Sequence, residues 1–114
     1  MKELELIVKT LDDKLAKDIV VINVADVNPL CEYFVICTGN NERHLTGIAN
    51  GLREVALEKD LDLKRIEGKT GGSWTLVDLT DVVVHIFSEE GRENYSLERL
   101  WGDLETVDVE KLLK

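Results

Sequence analysis

Few side chains in this chain could do chemistry, and their spacing decides between catalysis and binding. Carboxylates that hold two metal ions for group transfer stand at i and i+2 on a strand, because alternate residues point to one side. Asp78 and Asp81 are three apart, with a turn expected between them. Asp60 and Asp62 have the right interval but lie ahead of the glycine loop Lys69 to Ser73 rather than after it. That loop, Lys-Thr-Gly-Gly-Ser, is a poor phosphate cradle, because the lysine precedes the glycines and no Gly-Lys-Ser/Thr is present. His44 and His85 share no spacing with a serine or cysteine nucleophile, and Cys31 and Cys37 make no CxxC pair. His85, inside Val-Val-Val-His-Ile-Phe, reads as a neutral sheet residue with a hydrogen bond, and His44, in Asn-Asn-Glu-Arg-His, as solvated. Both cysteines read as buried, reduced thiols, which suits a reducing compartment. No catalytic, metal-binding or cofactor-binding residue is assigned.

Charge points the other way, toward association. Lys and Arg number 14 against 23 Asp and Glu, a formal charge of −9. Residues 1–73 carry 10 basic and 13 acidic side chains, residues 74–114 carry 4 and 10, so the last third is the more negative. Such a surface repels phosphate backbones and attracts basic proteins, which disfavours nucleic acid as a direct partner. The length of 114 residues suits one domain over 1–114 with one core. No apolar signal region, Arg/Ser-rich transit stretch or membrane-length apolar run is present, so a cytoplasmic protein without a membrane partner is expected.

The elements that must position these residues are read from periodicity. Leu4, Ile7, Val8, Leu11 and Leu15 form a helical stripe over residues 2–17. Ile19 to Val24 reads as a buried strand, followed by a loop at Asp26, Asn28 and Pro29, and Tyr33 to Thr38 as a second strand. Leu45, Ile48, Ala49, Leu52, Val55 and Ala56 predict a helix over 42–59, and Leu61 and Leu63 a strand near 61–66. Strands at Trp74–Leu79 and Val82–Phe87 and a short C-terminal helix, capped by Asn94 or Ser96, complete the pattern. The fold class is α/β (α+β): a mixed sheet of about five strands covered by helices.

Only Thr80 and Asp81 separate the last two strands, which predicts a two-residue hairpin. A tight turn pairs Leu79 with Val82, Val77 with Val84 and Thr75 with Ile86 on an aliphatic face that belongs in the core. The opposite face pairs Asp78 with Val83, Leu76 with His85 and Trp74 with Phe87. Full burial of that face would strand Asp78, and full exposure would waste Trp74, Leu76 and Phe87. Two arrangements remain open for it: a helix packed over half, or a protein-binding patch.

The ordered pattern W-x-L-x-D-L-x-D-V-V-V-H-I-F from Trp74, then E-x-R-x-x-Y-x-L-E-x-L-W-x-D from Glu90, resembles the ribosomal silencing factor (Iojap-type) family. The resemblance covers roughly residues 4–103 and is strongest after Trp74. Thr80 stands where family members commonly carry Gly; Thr resists positive φ, so the turn type and the hairpin register are left open. The resemblance implies a nucleotidyltransferase-like fold without the catalytic acids, and a protein that is not an enzyme. It also implies docking on the large ribosomal subunit through ribosomal protein L-fourteen, blocking association with the small subunit and repressing translation under nutrient limitation. The residues it points to as protein-binding are Trp74, Leu76, Asp78, Tyr95, Glu98 and Trp101. Two alternatives stand beside it: a metal-dependent nucleotidyltransferase, and a dimeric acidic interaction module with a non-ribosomal partner. A homodimer of the free chain is left open.

Overall fold

The computed structural model describes residues 2–68, 73–95 and 104–113, with Asn94 and Tyr95 described by their backbone alone. Along the chain run α1 (Lys2–Asp13), β1 (Lys17–Asn23), β2 (Tyr33–Gly39), α2 (Glu42–Glu58), β3 (Arg65–Gly68), β4 (Trp74–Asp78), β5 (Val82–Ser88), α3 (Glu89–Tyr95), β6 (Thr106–Val107) and α4 (Val109–Leu113). The strands form one mixed sheet in the order β3-β4-β5-β2-β1-β6. The β2/β5 pair is parallel and the other neighbours are antiparallel. Among the described residues the sheet therefore has six strands, where about five were expected. The extra one, β6, is two residues on the outer edge of β1, too short to leave a pattern in sequence.

One sheet face is covered by α1 and α2. Leu4, Ile7, Val8 and Leu11 of α1 and Leu45, Ile48, Ala49, Leu52 and Ala56 of α2 pack against Val21, Val35, Cys37, Val77, Val84 and Ile86. Both helices stop by the same device. Ala16 N–H donates to Leu11 C=O with Leu15 at φ 63°, and Leu61 N–H donates to Ala56 C=O with Asp60 at φ 55°. These are Schellman closures that use Leu and Asp where Gly is usual. The first ends the stripe expected over 2–17 at Asp13 and turns Leu15 outward, 76% exposed. The second uses residues 59–64 to close α2, so the strand expected near 61–66 starts at Arg65 instead. Leu61 and Leu63 still pack on the core, but outside the ladder.

The short helix expected after Asn94 or Ser96 lies outside the described residues, and α3 ahead of it was not expected. Ser88 Oγ accepts from Gly91 N–H at 3.0 Å, the geometry of an N-cap to N3, and Glu89 and Glu90 fill the acidic first turn of α3. Gly91 lies against Ser73, the residue before β4, where a Cβ would stand 2.1 Å from the Ser73 carbonyl oxygen. Arg92 Nη1 donates to Asp18 C=O at 2.6 Å and to the buried Thr38 hydroxyl at 2.8 Å, tying α3 to the irregular start of β1.

Candidate functional site on the second sheet face

Strand register sets the other face. One row runs Glu67, Leu76, His85, Ile36 and Val20, and the next runs Arg65, Asp78, Val83, Phe34 and Ile22, because residues paired across a ladder share a side. Trp74 pairs with Phe87, as the tight-turn register requires. Thr80 accommodates that register by adopting φ 70° despite its branched Cβ. Asp78 Oδ1 accepts the Thr80 N–H at 3.0 Å, and Thr80 Oγ1 donates to Asp62 C=O at 2.9 Å and Oδ2 at 3.0 Å. The strain of a left-handed Thr is thus held by side chains on both flanks.

This face is divided. Phe87 is buried, 1% exposed, in a second cluster with Ile22, Val24, Cys31 and Ile36, while Trp74, Phe34 and Val83 are half-buried at its margin. Trp74 stacks on His85 at 5.8 Å and on Phe87 at 5.5 Å, and Phe34 meets the His85 ring edge-on at 5.1 Å. Trp74 Nε1–H donates to His85 Nδ1 at 3.3 Å. Burial lowers the His85 pKa to about 4, so the ring is neutral at pH 7. With Nδ1 accepting, the proton resides on Nε2. Nε2 is buried and has no hydrogen-bond partner among the described residues.

Beside His85 opens a groove of about 290 Å³. Its apolar walls are Leu30, Phe34, Leu76 and Val83, with Asp78, His85, Lys64 and Arg65 among the polar lining. Leu30, on the loop between β1 and β2, is 84% exposed at the rim. Asp78 is half-buried, and Arg65 approaches it at 3.9 Å while also lying 3.5 Å from Glu67. Acidic side chains converge nearby: Glu3 is held above the usual carboxylate range by its burial and by Asp81, Asp62 and Glu32. The Cys31 thiol in the groove wall is raised by burial and by Asp78 and Asp81, and burial raises the Cys37 thiol to about 12, so both stay protonated. Among the described residues no group of three or more His, Cys, Asp or Glu is placed to hold a metal ion.

Of the residues singled out in sequence, Trp74, Leu76 and Asp78 come together on this face. Glu98 and Trp101 lie outside the described residues, and Tyr95 is described only as the last backbone position of α3. Asp78 is not a free charge, since it also caps the turn. His44 is not simply solvated: it accepts the Asn40 N–H at Nδ1 and donates from Nε2 to Lys14 C=O, each at 2.8 Å, joining α2 to the end of α1. Leu30 and Phe34 were not anticipated as part of the face. The signal for Phe34 was its place in Tyr33-Phe-Val-Ile, one residue out of phase with the core-facing Val35.

A mixed α/β protein, helices on one sheet face and an apolar, acid-rimmed groove on the other, is the class this geometry defines. No helix among the described residues is long and apolar enough to cross a membrane. The family model for "Ribosomal silencing factor during starvation" matches residues 1–114, and the chain belongs to that family. The ribosomal silencing factor RsfS of Halalkalibacterium halodurans is 42% identical over 110 residues, 96% of this chain and 94% of that protein. A crystal structure from Bacillus halodurans superposes with a TM-score of 0.80 at 41% identity, covering 92% of this chain and 95% of the other. The "Mitochondrial assembly of ribosomal large subunit protein 1" of Mus musculus is 36% identical over 104 residues, 87% of this chain and 45% of that protein.

Proposed function

We propose that the chain is a stoichiometric translation repressor. It docks its second sheet face on ribosomal protein L-fourteen of the large ribosomal subunit and blocks joining of the small subunit by occupying the ground where the two meet. The observation that carries this reading is the groove between Leu30 and Asp78 beside Trp74, on a member of the silencing factor family. Trp74 and Leu76 act as apolar anchors, Asp78 and Glu98 as charge partners, and Tyr95 and Trp101 as further contacts. Half-buried aromatic side chains beside a ready-made groove are favoured anchors, because ring area is desolvated at little entropic cost. The acidic cluster of Glu3, Glu32, Asp62 and Asp81 favours a basic ribosomal protein over bare RNA and speeds encounter with it. The mouse relative's name places that protein with the large subunit, which supports the choice of subunit. No covalent step is needed, and no enzyme activity is proposed. Sedimenting the protein with separated subunits through a sucrose gradient tests the docking. It should travel with free large subunits; migration with small subunits, or at the top of the gradient at saturating concentration, contradicts the reading.

A further inference from the structure

We infer that the Nε2–H of His85 is a specificity-determining hydrogen-bond donor of the groove, and that the docked protein supplies a backbone or amide carbonyl to it. The inference rests on the docking reading above and names the chemistry of the partner at one point. Three observations carry it. The Trp74 indole donates to Nδ1, which leaves the single proton of the neutral ring on Nε2. His85 is 6% exposed, and its Nε2 has no partner among the described residues. The Phe34 ring packed edge-on beside it offers neither oxygen nor nitrogen.

An unmet buried donor destabilises the free protein, and a bound acceptor would recover that loss. The ring forms part of the groove wall with Leu76 and Val83, while Nε2 itself is buried in the free protein, so the occupant reaches it by displacing the half-buried side chains that border the ring. Electrostatics selects the kind of acceptor. Asp78 lines the same groove, and Asp62, Asp81 and Glu32 gather close enough to raise the Glu3 pKa. Lys64 and Arg65 also line the groove, but Arg65 lies against Asp78 and Glu67, and the carboxylates gathered around the groove outnumber the two cations. A neutral carbonyl flanked by basic side chains meets that surround with less repulsion than a carboxylate or phosphate oxygen. The occupant is therefore a segment of a basic protein that turns a carbonyl toward β5, not a nucleic acid.

Three substitutions separate the donor from the rest of the ring. His85→Asn keeps an acceptor near Nδ1 for Trp74 but has nothing at Nε2. His85→Gln places an amide N–H near the Nε2 position. His85→Phe keeps the stacking surface and removes both nitrogens. Affinity for isolated large ribosomal subunits is measured for all three and for the parent, with urea unfolding in parallel. The expected result is binding about tenfold weaker for the Asn and Phe variants, near-parent binding for Gln, and a folded Phe variant at least as stable as the parent at pH 7. Parent-like binding by both Asn and Phe overturns the inference while leaving the docking reading intact. Equal weakening in all three also overturns it, since Gln retains the donor. Failure of the parent itself to bind refutes the docking reading.

Discussion

Replacing His85 by Phe should remove a definite part of the protein's acid sensitivity. In the unfolded chain an imidazole titrates near 6.5; in the fold, burial lowers that of His85 to about 4. Between those values the unfolded state binds a proton that the folded state refuses. Stability is therefore complete above pH 6.5, falls as the pH drops toward 4, and loses nothing more from this residue below that. At 1.36 kcal/mol per pKa unit the loss is about 3 kcal/mol, a large share of the ~5–15 kcal/mol that holds a typical domain folded. Every other titratable group is common to parent and variant, so the difference between the two isolates His85. Urea unfolding followed by far-UV circular dichroism at pH 7, 6, 5 and 4.5 gives that difference directly. The variant should match or exceed the parent at pH 7 and gain steadily on it as the pH falls. A difference that stays constant from pH 7 to 4.5 would mean that His85 is not held neutral by burial, and the tautomer argument would fail with it.

Trp74→Ala should cost about 2 kcal/mol or more of binding to large subunits, while the half-buried ring costs folding less than the ~3–5 kcal/mol of a fully buried Trp; titration and thermal unfolding of one preparation measure both. Gly91→Ala should destabilise by about 1–3 kcal/mol in urea, because the new Cβ meets the Ser73 carbonyl oxygen at 2.1 Å and outweighs the usual helical gain of Ala over Gly. Asp78→Asn keeps an oxygen for the Thr80 N–H, so stability should hold within about 0.5 kcal/mol while association slows at low salt and recovers toward the parent rate at high salt. Asp78→Lys, by contrast, should lower stability as well, since it removes the acceptor that holds the strained turn.

Much of this was legible in the sequence, and the exceptions have physical causes. The two hairpin strands from Trp74 to Phe87 were plain from their period of two, while their register, left open by Thr80, is the tight-turn one, in which no slip drives Val77, Val84 and Ile86 out of the core. Helix α2 was equally plain, because six apolar residues recur at helical spacing. The misread boundaries lie where side chains or tertiary contacts take over from periodicity. Leu15 and Asp60 close helices in a conformation normally left to Gly, so nothing in their residue types announces the end. Thr80 tolerates its backbone only because Asp62 and Asp78 reach it, and Asp62 is eighteen positions away. The groove face was half legible: Trp74, Leu76 and Asp78 stood out as misfits on an alternating strand. Leu30 and Phe34 did not, because their place beside the hairpin comes from the parallel pairing of β2 with β5, a non-local contact.

The central claim is that the protein represses by occupying a surface, not by chemistry, and subunit joining measures that directly. Separated large and small subunits are mixed at association-promoting magnesium with increasing protein, and the joined fraction is read by light scattering or on a gradient. The account predicts that joining falls in proportion to the fraction of large subunits occupied. It also predicts that no nucleotide is needed, that adding small subunits in excess restores joining by competition, and that Trp74→Ala shifts the curve to higher concentration. Unchanged joining with large subunits fully occupied would contradict it, as would inhibition by catalytic amounts of protein.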